Sequence, residues 1–234
     1  MSLPKLEIPV YEVKLFEQGK KIKYRPYTVK EEKSLLMAME SKDEKQIFET
    51  SIRCCDACLV DKRIKVQDLS VLDLETLLIA IRSKSVGENI DLQAKCDECE
   101  NKLSLSIDIT KMRVEENGEP EYELKLNEDY GVRLRSPSLE SIYSSILNKT
   151  DETTSALLSC IDFVYNDTKT YSFKDYTEEE KVEFIENLSI ENVKDINEKF
   201  IDKLPSNVID LSFTCPACKK ENEKTVGNLL DFFT

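Results

Sequence analysis

The sequence predicts an α+β protein built by tandem duplication of one unit: a hairpin, then helices, then a second hairpin that carries a Cys-x-x-Cys pair. Three observations point there. Short runs of period-two alternation stand beside longer runs of helical periodicity. Residues 69–99 align without a gap on residues 188–218, at a constant offset of 119. One cysteine pair falls at the same phase in each stretch: Cys96 and Cys99 match Cys215 and Cys218. Two amphipathic helices can share apolar positions by convergence, but shared cysteines in phase point to a true repeat.

The first copy covers 1–110. YEVKLFE at 11–17 and IKYRPYT at 22–28 alternate and flank Gln18-Gly19-Lys20, which predicts a hairpin. Thr28-Val29-Lys30-Glu31 fits a capping box, in which the hydroxyl serves one orphan N–H while Glu31 reaches back. A helix is expected from there to about Ser41, burying Leu35, Leu36 and Met39. A second helix carries Phe48, Ile52, Cys55 and Leu59 on one face. A third follows, with Leu74, Leu77 and Ile81 inward. IDLQAK and NKLSLSIDI then read as strands around Cys96-Asp97-Glu98-Cys99.

Residues 111–121 (KMRVEENGEPE) are polar, contain Gly118 and Pro120, and read as a connector. The second copy covers 122–234. YELKLNE at 122–128 and VRLRSPS at 132–138 repeat the hairpin. Leu139, Ile142, Tyr143, Ile146 and Leu147 predict its first helix, and Leu157, Cys160 and Val164 its second. An insertion follows that the first copy lacks. Thr177-Glu178-Glu179-Glu180, a further capping box, opens an added helix near 177–187 with Val182, Phe184, Ile185 and Leu188 on one side. Val193, Ile196 and Phe200 then match the third helix of the first copy, and IDLSFT leads into Cys215-Pro216-Ala217-Cys218.

Composition excludes much of catalysis. The chain has 234 residues, no histidine, no tryptophan and eight cysteines. Without histidine there are no Ser-His-Asp or Cys-His pairs and no HExxH site. Only five glycines are present, and neither GxxxxGK[ST] nor GxGxxG occurs. Paired carboxylates at Glu31-Glu32, Glu115-Glu116 and Glu178-Glu179-Glu180 lie at helix starts or in the connector, where a solvated face or a helix dipole explains them. With 33 Lys+Arg against 46 Asp+Glu the net charge is −13, which disfavours a surface that tracks phosphates or anionic lipid. No signal peptide or membrane span is legible, so a soluble protein of a reducing compartment is expected, where thiols serve as metal ligands or small apolar side chains.

A structural zinc site takes four soft ligands at the corners of a tetrahedron, and a CxxC turn between two strands supplies two of them. Cys96, Cys99, Cys215 and Cys218 are therefore the predicted metal ligands. The separation from Cys99 to Cys215 is long for a ribbon, but two copies about a pseudo-twofold axis can bring equivalent knuckles to one ion. The expectation is one shared zinc-ribbon-like module joining the copies, with one structural zinc per chain. The choice between zinc and iron stays open, as does the reading of each pair as a free dithiol. Cys55 falls within a helix and matches Cys160, while Cys58 matches Phe163, so Cys54, Cys55, Cys58 and Cys160 read as packing residues.

One basic cluster remains: Lys20, Lys21, Lys23 and Arg25 near Tyr24 and Tyr27, with Arg133 and Arg135 in the repeat partner. A solvated strand edge protected from aggregation explains it. The sharper reading is a docking surface made by Lys23, Tyr24, Arg25, Arg133 and Arg135.

KIKYRPYTVKEEKSLLMAMES (21–41) and LLIAIRSKSVGENIDLQAKCDEC (77–99) carry a family resemblance, chiefly through KYRP, VKEEK and RSKSVGE. Across about 10–110 the chain resembles the base-plate proteins of T-even-like contractile-tailed bacteriophages, the group that includes the hub subunit or hub-assembly protein. The resemblance implies a non-enzymatic virion or assembly component of the tail base plate, bound to other tail proteins and open to self-association. It would sit in the virion, or in the host cytoplasm during assembly, and it carries over no catalytic residue. The alternative is a zinc-ribbon nucleic-acid adaptor. Such an adaptor needs a basic face at the knuckles. There Lys95, Lys102, Lys219, Lys220 and Lys224 are offset by Asp97, Glu98, Glu100, Glu221 and Glu223, so nucleic acid is disfavoured.

Overall fold

The first alternating runs pair as β1 (Tyr11–Lys14) and β2 (Lys21–Tyr24), antiparallel, in a computed structural model that describes residues 6–61, 64–139 and 151–227. Gly19 supplies the positive φ, 60°, that the turn requires. A buried carboxylate holds the tip of the turn: Asp73 accepts from the backbone N–H groups of Phe16 (2.6 Å), Glu17 (3.2 Å) and Gln18 (3.3 Å).

α1 (Val29–Ser41) starts where the capping box places it, and Glu31 does reach back, accepting from the Thr28 N–H at 2.7 Å and its hydroxyl at 2.6 Å. Its buried row differs from expectation. Glu31 and Ala38 are buried and Leu35 is half-buried, whereas Leu36 and Met39 lie exposed at 54% and 41%. The reason is the Arg25–Glu31 ion pair, at 3.0 Å. It turns Glu31 inward, so the row at i, i+4 and i+7 from that residue becomes the inner stripe. α2 (Glu44–Cys58) packs against α1, and its end closes onto β2 through the Arg25 N–H, which donates to the Cys58 carbonyl at 2.9 Å. α3 (Val71–Ser85) buries Leu74, Leu77 and Ile81 as expected, and β3 (Asn89–Lys95) pairs antiparallel with β4 (Lys102–Asp108). The polar connector contains a strand, β5 (Arg113–Glu115), which the alternation rule missed because three residues are too short to show a period.

The second copy opens with β6 (Glu123–Lys125) and β7 (Gly131–Leu134). Its predicted first helix falls outside the described residues, apart from the buried Leu139. α4 (Glu152–Cys160) buries Leu157 and Cys160, but Val164 belongs to a strand, β8 (Ile161–Tyr165), rather than to the helix. β8 pairs with β7 on one side and β9 (Thr170–Ser172) on the other, giving a four-stranded sheet in the order β6-β7-β8-β9. In IDFVY the run of apolar residues fits a strand as well as a helix, and neighbouring strands decided the outcome. The added helix is present as α5 (Glu178–Glu186). Both bonds of its capping box form: the Glu180 N–H donates to the Thr177 hydroxyl at 3.3 Å, and the Thr177 N–H donates to Glu180 at 2.8 Å. α6 (Ile190–Lys199) is followed by β10 (Ser206–Thr214), which pairs with β11 (Glu221–Val226) and with β5.

The chain divides into two compact units whose limits differ from those of the predicted copies. The larger comprises Met1–Val66, Leu72–Glu115 and Ser206–Thr234; the smaller, Gln67–Val71 and Glu116–Pro205. In the larger unit Ile79, Ile90, Ile107, Ile109, Ile209 and Leu211 form one cluster, so the β10–β11 hairpin completes the core of the β3–β4 sheet. Asn207, 1% exposed, locks β10 to α3 by donating to the Leu72 carbonyl and to Glu75, each at 3.0 Å. In the smaller unit Leu124, Leu134, Leu157, Ile161, Ile196 and Phe200 form the centre of a second core.

Candidate metal centre

The two CxxC turns, both in the larger unit, have the same backbone. In the first, the Cys96 N–H donates to the Asn101 carbonyl (3.0 Å) and the Glu100 N–H to the Cys96 carbonyl (3.0 Å); in the second, Cys215 bonds Lys220 (2.8 Å) and Lys219 bonds Cys215 (2.9 Å) in the same manner. Each turn leaves by a left-handed residue that is not glycine, Glu100 at φ 58° and Lys219 at φ 63°. That backbone is uncommon, and here it directs the N–H groups of each turn at the leading sulfur.

The four sulfurs converge. Cys96 Sγ lies 3.6 Å from Cys218 Sγ, and Cys99 Sγ lies 3.6 Å from Cys215 Sγ, each contact crossing from one turn to the other. All four lie within 4.8 Å of one another. Four thiolates at the usual zinc–sulfur distance stand about 3.8 Å apart along the edges of a tetrahedron, whereas a disulfide needs about 2.05 Å. The residues present therefore suit a four-thiolate metal site, and all four thiols are free. Cys96 and Cys215 are buried; Cys99 and Cys218 face outward.

Electrostatics divides the thiols. The N–H of Cys99, helped by that of Glu98, holds the Cys96 thiol down to about 6. The N–H of Cys218, with that of Ala217, holds Cys215 down in the same way. Cys218 goes the other way: the Lys220 N–H lowers it, but partial desolvation beside the other sulfurs and its hydrogen bonds to Cys99, Cys96 and Cys215 push it up to about 12. Four crowded sulfurs cannot all shed their protons without a cation among them.

Asn222, 3% exposed, lies beside the cluster and escaped the sequence reading. Its Nδ2 donates toward Cys96 Sγ at 3.6 Å and to the Lys220 carbonyl at 3.0 Å, while its Oδ1 accepts from the Asp97 N–H at 3.0 Å. It thus ties one turn to the other and supports a ligand, the usual task of groups behind metal ligands. An uncharged polar residue on the inner face of ENEKTV is the one signal that marks it. At the rim, Lys95 pairs with Glu100 and Lys224 with Asp97, so the surface beside the turns has no surplus of positive charge.

The remaining cysteines are core residues, as expected: Cys54, Cys55, Cys58 and Cys160 are all buried. Burial raises the thiols of Cys54 and Cys55, and pushes that of Cys160 up to about 11. Such thiols are inert toward metals and oxidants at neutral pH. Their correspondence between copies differs from the sequence alignment. The Arg25 N–H bonds the Cys58 carbonyl, and the Arg135 N–H bonds the Cys160 carbonyl at 2.7 Å, which matches Cys160 to Cys58 rather than to Cys55.

The basic cluster is split. Tyr24 is buried at 3% exposure, its ring 5.9 Å from that of Tyr11. Arg25 is engaged with Glu31 and the Pro26 carbonyl. Lys20, Lys21 and Lys23 are exposed in the larger unit, with Lys23 at 4.0 Å from Glu12. Arg133 and Arg135 are exposed in the smaller unit, where Arg133 pairs with Glu123 at 3.2 Å and covers the Phe163 ring.

Fold and cluster together define an α+β protein with a four-thiol centre shared by two matching turns. Residues 8–234 match the family model described as T4 bacteriophage base plate protein, and the chain belongs to that family. No curated protein and no solved structure matches it. Among the described residues no helix is long and apolar enough to cross a membrane.

Proposed function

We infer that the chain is a non-enzymatic component of the tail base plate, a structural or assembly protein of the hub that works by binding other tail proteins. The family match along nearly the whole chain carries this reading. Its test is affinity capture of the tagged chain from infected cells. Recovery of tail proteins is the expected result, and recovery of nucleic acid in their place would sink it.

Cys96, Cys99, Cys215 and Cys218 hold one structural zinc per chain in this reading, and the ion ties the last hairpin of the chain to the hairpin after α3. The 3.6 Å contacts between the turns are the supporting observation. Protein purified without added metal should contain about one zinc per chain by elemental analysis and native mass spectrometry. Iron in its place changes the metal but keeps the site; no metal with eight free thiols overturns it. Cys96→Ser should cost the protein its metal and several kcal/mol of stability, of the order seen when structural zinc is removed.

The zinc-ribbon-like module joins two copies of a duplicated unit, 1–110 and 122–234, linked by 111–121. The matched turns support the duplication. So does a second matched pair: Asp73 in α3 holds the tip of the first hairpin, and Asn192, at the same offset as the cysteines, donates to the Leu126 carbonyl beside the tip of the second at 2.8 Å. For docking, Lys23, Arg133 and Arg135 remain as exposed contacts, with Tyr24 and Arg25 supporting the strand behind Lys23. The nucleic-acid adaptor stays the second reading, and the paired charges around the turns disfavour it.

A further inference from the structure

The net charge is confined to one part of the molecule. The smaller unit holds 10 of the 33 Lys and Arg and 22 of the 46 Asp and Glu, so 10 − 22 = −12 of the total −13 belongs to it. The larger unit is close to neutral. Within this acidic unit, between the sheet and the starts of α5 and α6, lies an open cavity of about 530 Å³. Its walls are aromatic: Tyr130, Tyr171, Phe173, Tyr176 and Phe184, with Glu180 at the edge.

The cavity is a formed feature. Phe173 and Phe184 meet edge to face with centroids 5.9 Å apart, which fixes the floor. Tyr130 and Tyr176 stand at 39% and 38% exposure, large rings left in solvent. The chain already places one cation on this aromatic surface, since Lys169 Nζ lies 4.5 Å from the centre of the Tyr171 ring. Lys181, the cation in the lining, is paired with Glu178 at 2.7 Å. Exposed acids flank the rings in sequence: Glu128 and Asp129 before Tyr130, Asp175 before Tyr176, and Glu179 and Glu180 on α5.

We propose that this cavity is a docking site for a basic segment of a partner protein, one that inserts an aromatic or large apolar side chain and sets Lys or Arg around it. The aromatic walls bury the anchor and accept cations at their faces. The charge of the unit draws a basic segment in and turns acidic surfaces away. A small-molecule metabolite fits less well, because the mouth is wide and the polar groups in the lining are engaged within the chain: Lys181 with Glu178, Asn187 with the Glu183 carbonyl and Asn192 with the Leu126 carbonyl.

The protein has no tryptophan, so a probe peptide that carries one reports its own binding. The full chain is titrated against a short synthetic peptide with a single tryptophan among lysines, and against versions with glutamate for lysine or alanine for tryptophan. The lysine–tryptophan peptide should show a blue shift, with affinity falling about tenfold or more from 50 to 500 mM salt. The other two should bind at least about tenfold more weakly. Tyr176→Ala should weaken the first peptide by a similar factor. So should Glu180→Gln, which removes a charge from the rim yet keeps the helix cap, since glutamine also completes a capping box. Circular dichroism and the urea midpoint identify variants that remain folded. Equal binding of the acidic peptide, indifference to both substitutions in folded protein, or blockage of the cavity by self-association of the chain would each overturn the proposal.

Discussion

Arg25 and Glu31 show how one residue pair sets both a helix face and a pH response. Burial alone would push the Glu31 carboxyl up; hydrogen bonds from Arg25 and from the Thr28 hydroxyl and N–H outweigh it and hold the group at about 2. A carboxyl lowered in the folded state contributes stability that is complete above its unfolded value, near 4.5, and is lost as pH falls through that value toward 2. Urea midpoints of wild type and Glu31→Gln should therefore differ most above pH 5, draw together as pH falls and converge at about pH 2; a constant gap across that range would contradict the assignment. Arg25→Ala, which leaves the buried Glu31 carboxylate without its ion-pair partner, should cost about 3 kcal/mol at pH 7. Sequence reading took Glu31 for a solvated helix-start acid and Arg25 for a docking contact. Each is polar and lies in an alternating or capping pattern, and only their meeting across the start of α1 shows that they satisfy one another.

At the scale of elements, local signals were legible where the chemistry is local. The capping boxes at Thr28 and Thr177, the turn at Gly19 and the knuckles at Cys96 and Cys215 lie where their residues say, because each rests on bonds spanning a few residues. In α5 both bonds of the box form, so Thr177→Ala should destabilise the smaller unit by about 1 kcal/mol, measured by urea unfolding. Elements whose form depends on neighbours were misread. Val164 was assigned to a helix and lies in β8, between β7 and β9, and Arg113–Glu115 became a strand because β10 runs beside it. The outward turn of Leu36 and Met39 has the same origin: apolar spacing marks a face, and the packed partner chooses which face.

For the whole molecule, the compact units do not follow chain order: the larger takes in both Leu72–Glu115 and Ser206–Thr234. The β10–β11 hairpin completes the core of the β3–β4 sheet through Ile209 and Leu211, and Asn207 bonds α3. A chain ending at residue 205 retains the entire first copy but should lose a cooperative larger unit, since the two side chains alone contribute about 1.5–3 kcal/mol each. Weak urea cooperativity and binding of a hydrophobic dye are the expected readouts; an unchanged transition would mean that the first copy folds by itself.

By itself the sequence determined the mixed architecture, the two CxxC hairpins with their four cysteines and the family resemblance, all of which rest on periodicity, spacing and residue type. Tertiary structure decided that the two knuckles do meet, that Asn222 ties them together, that nearly all the net charge gathers on one unit and that aromatic residues from Tyr130 to Phe184 line a cavity. These depend on contacts between residues dozens to more than a hundred positions apart in the chain, or on which of several apolar faces wins burial. Such outcomes follow from the free energy of the whole packed chain, which no local pattern carries.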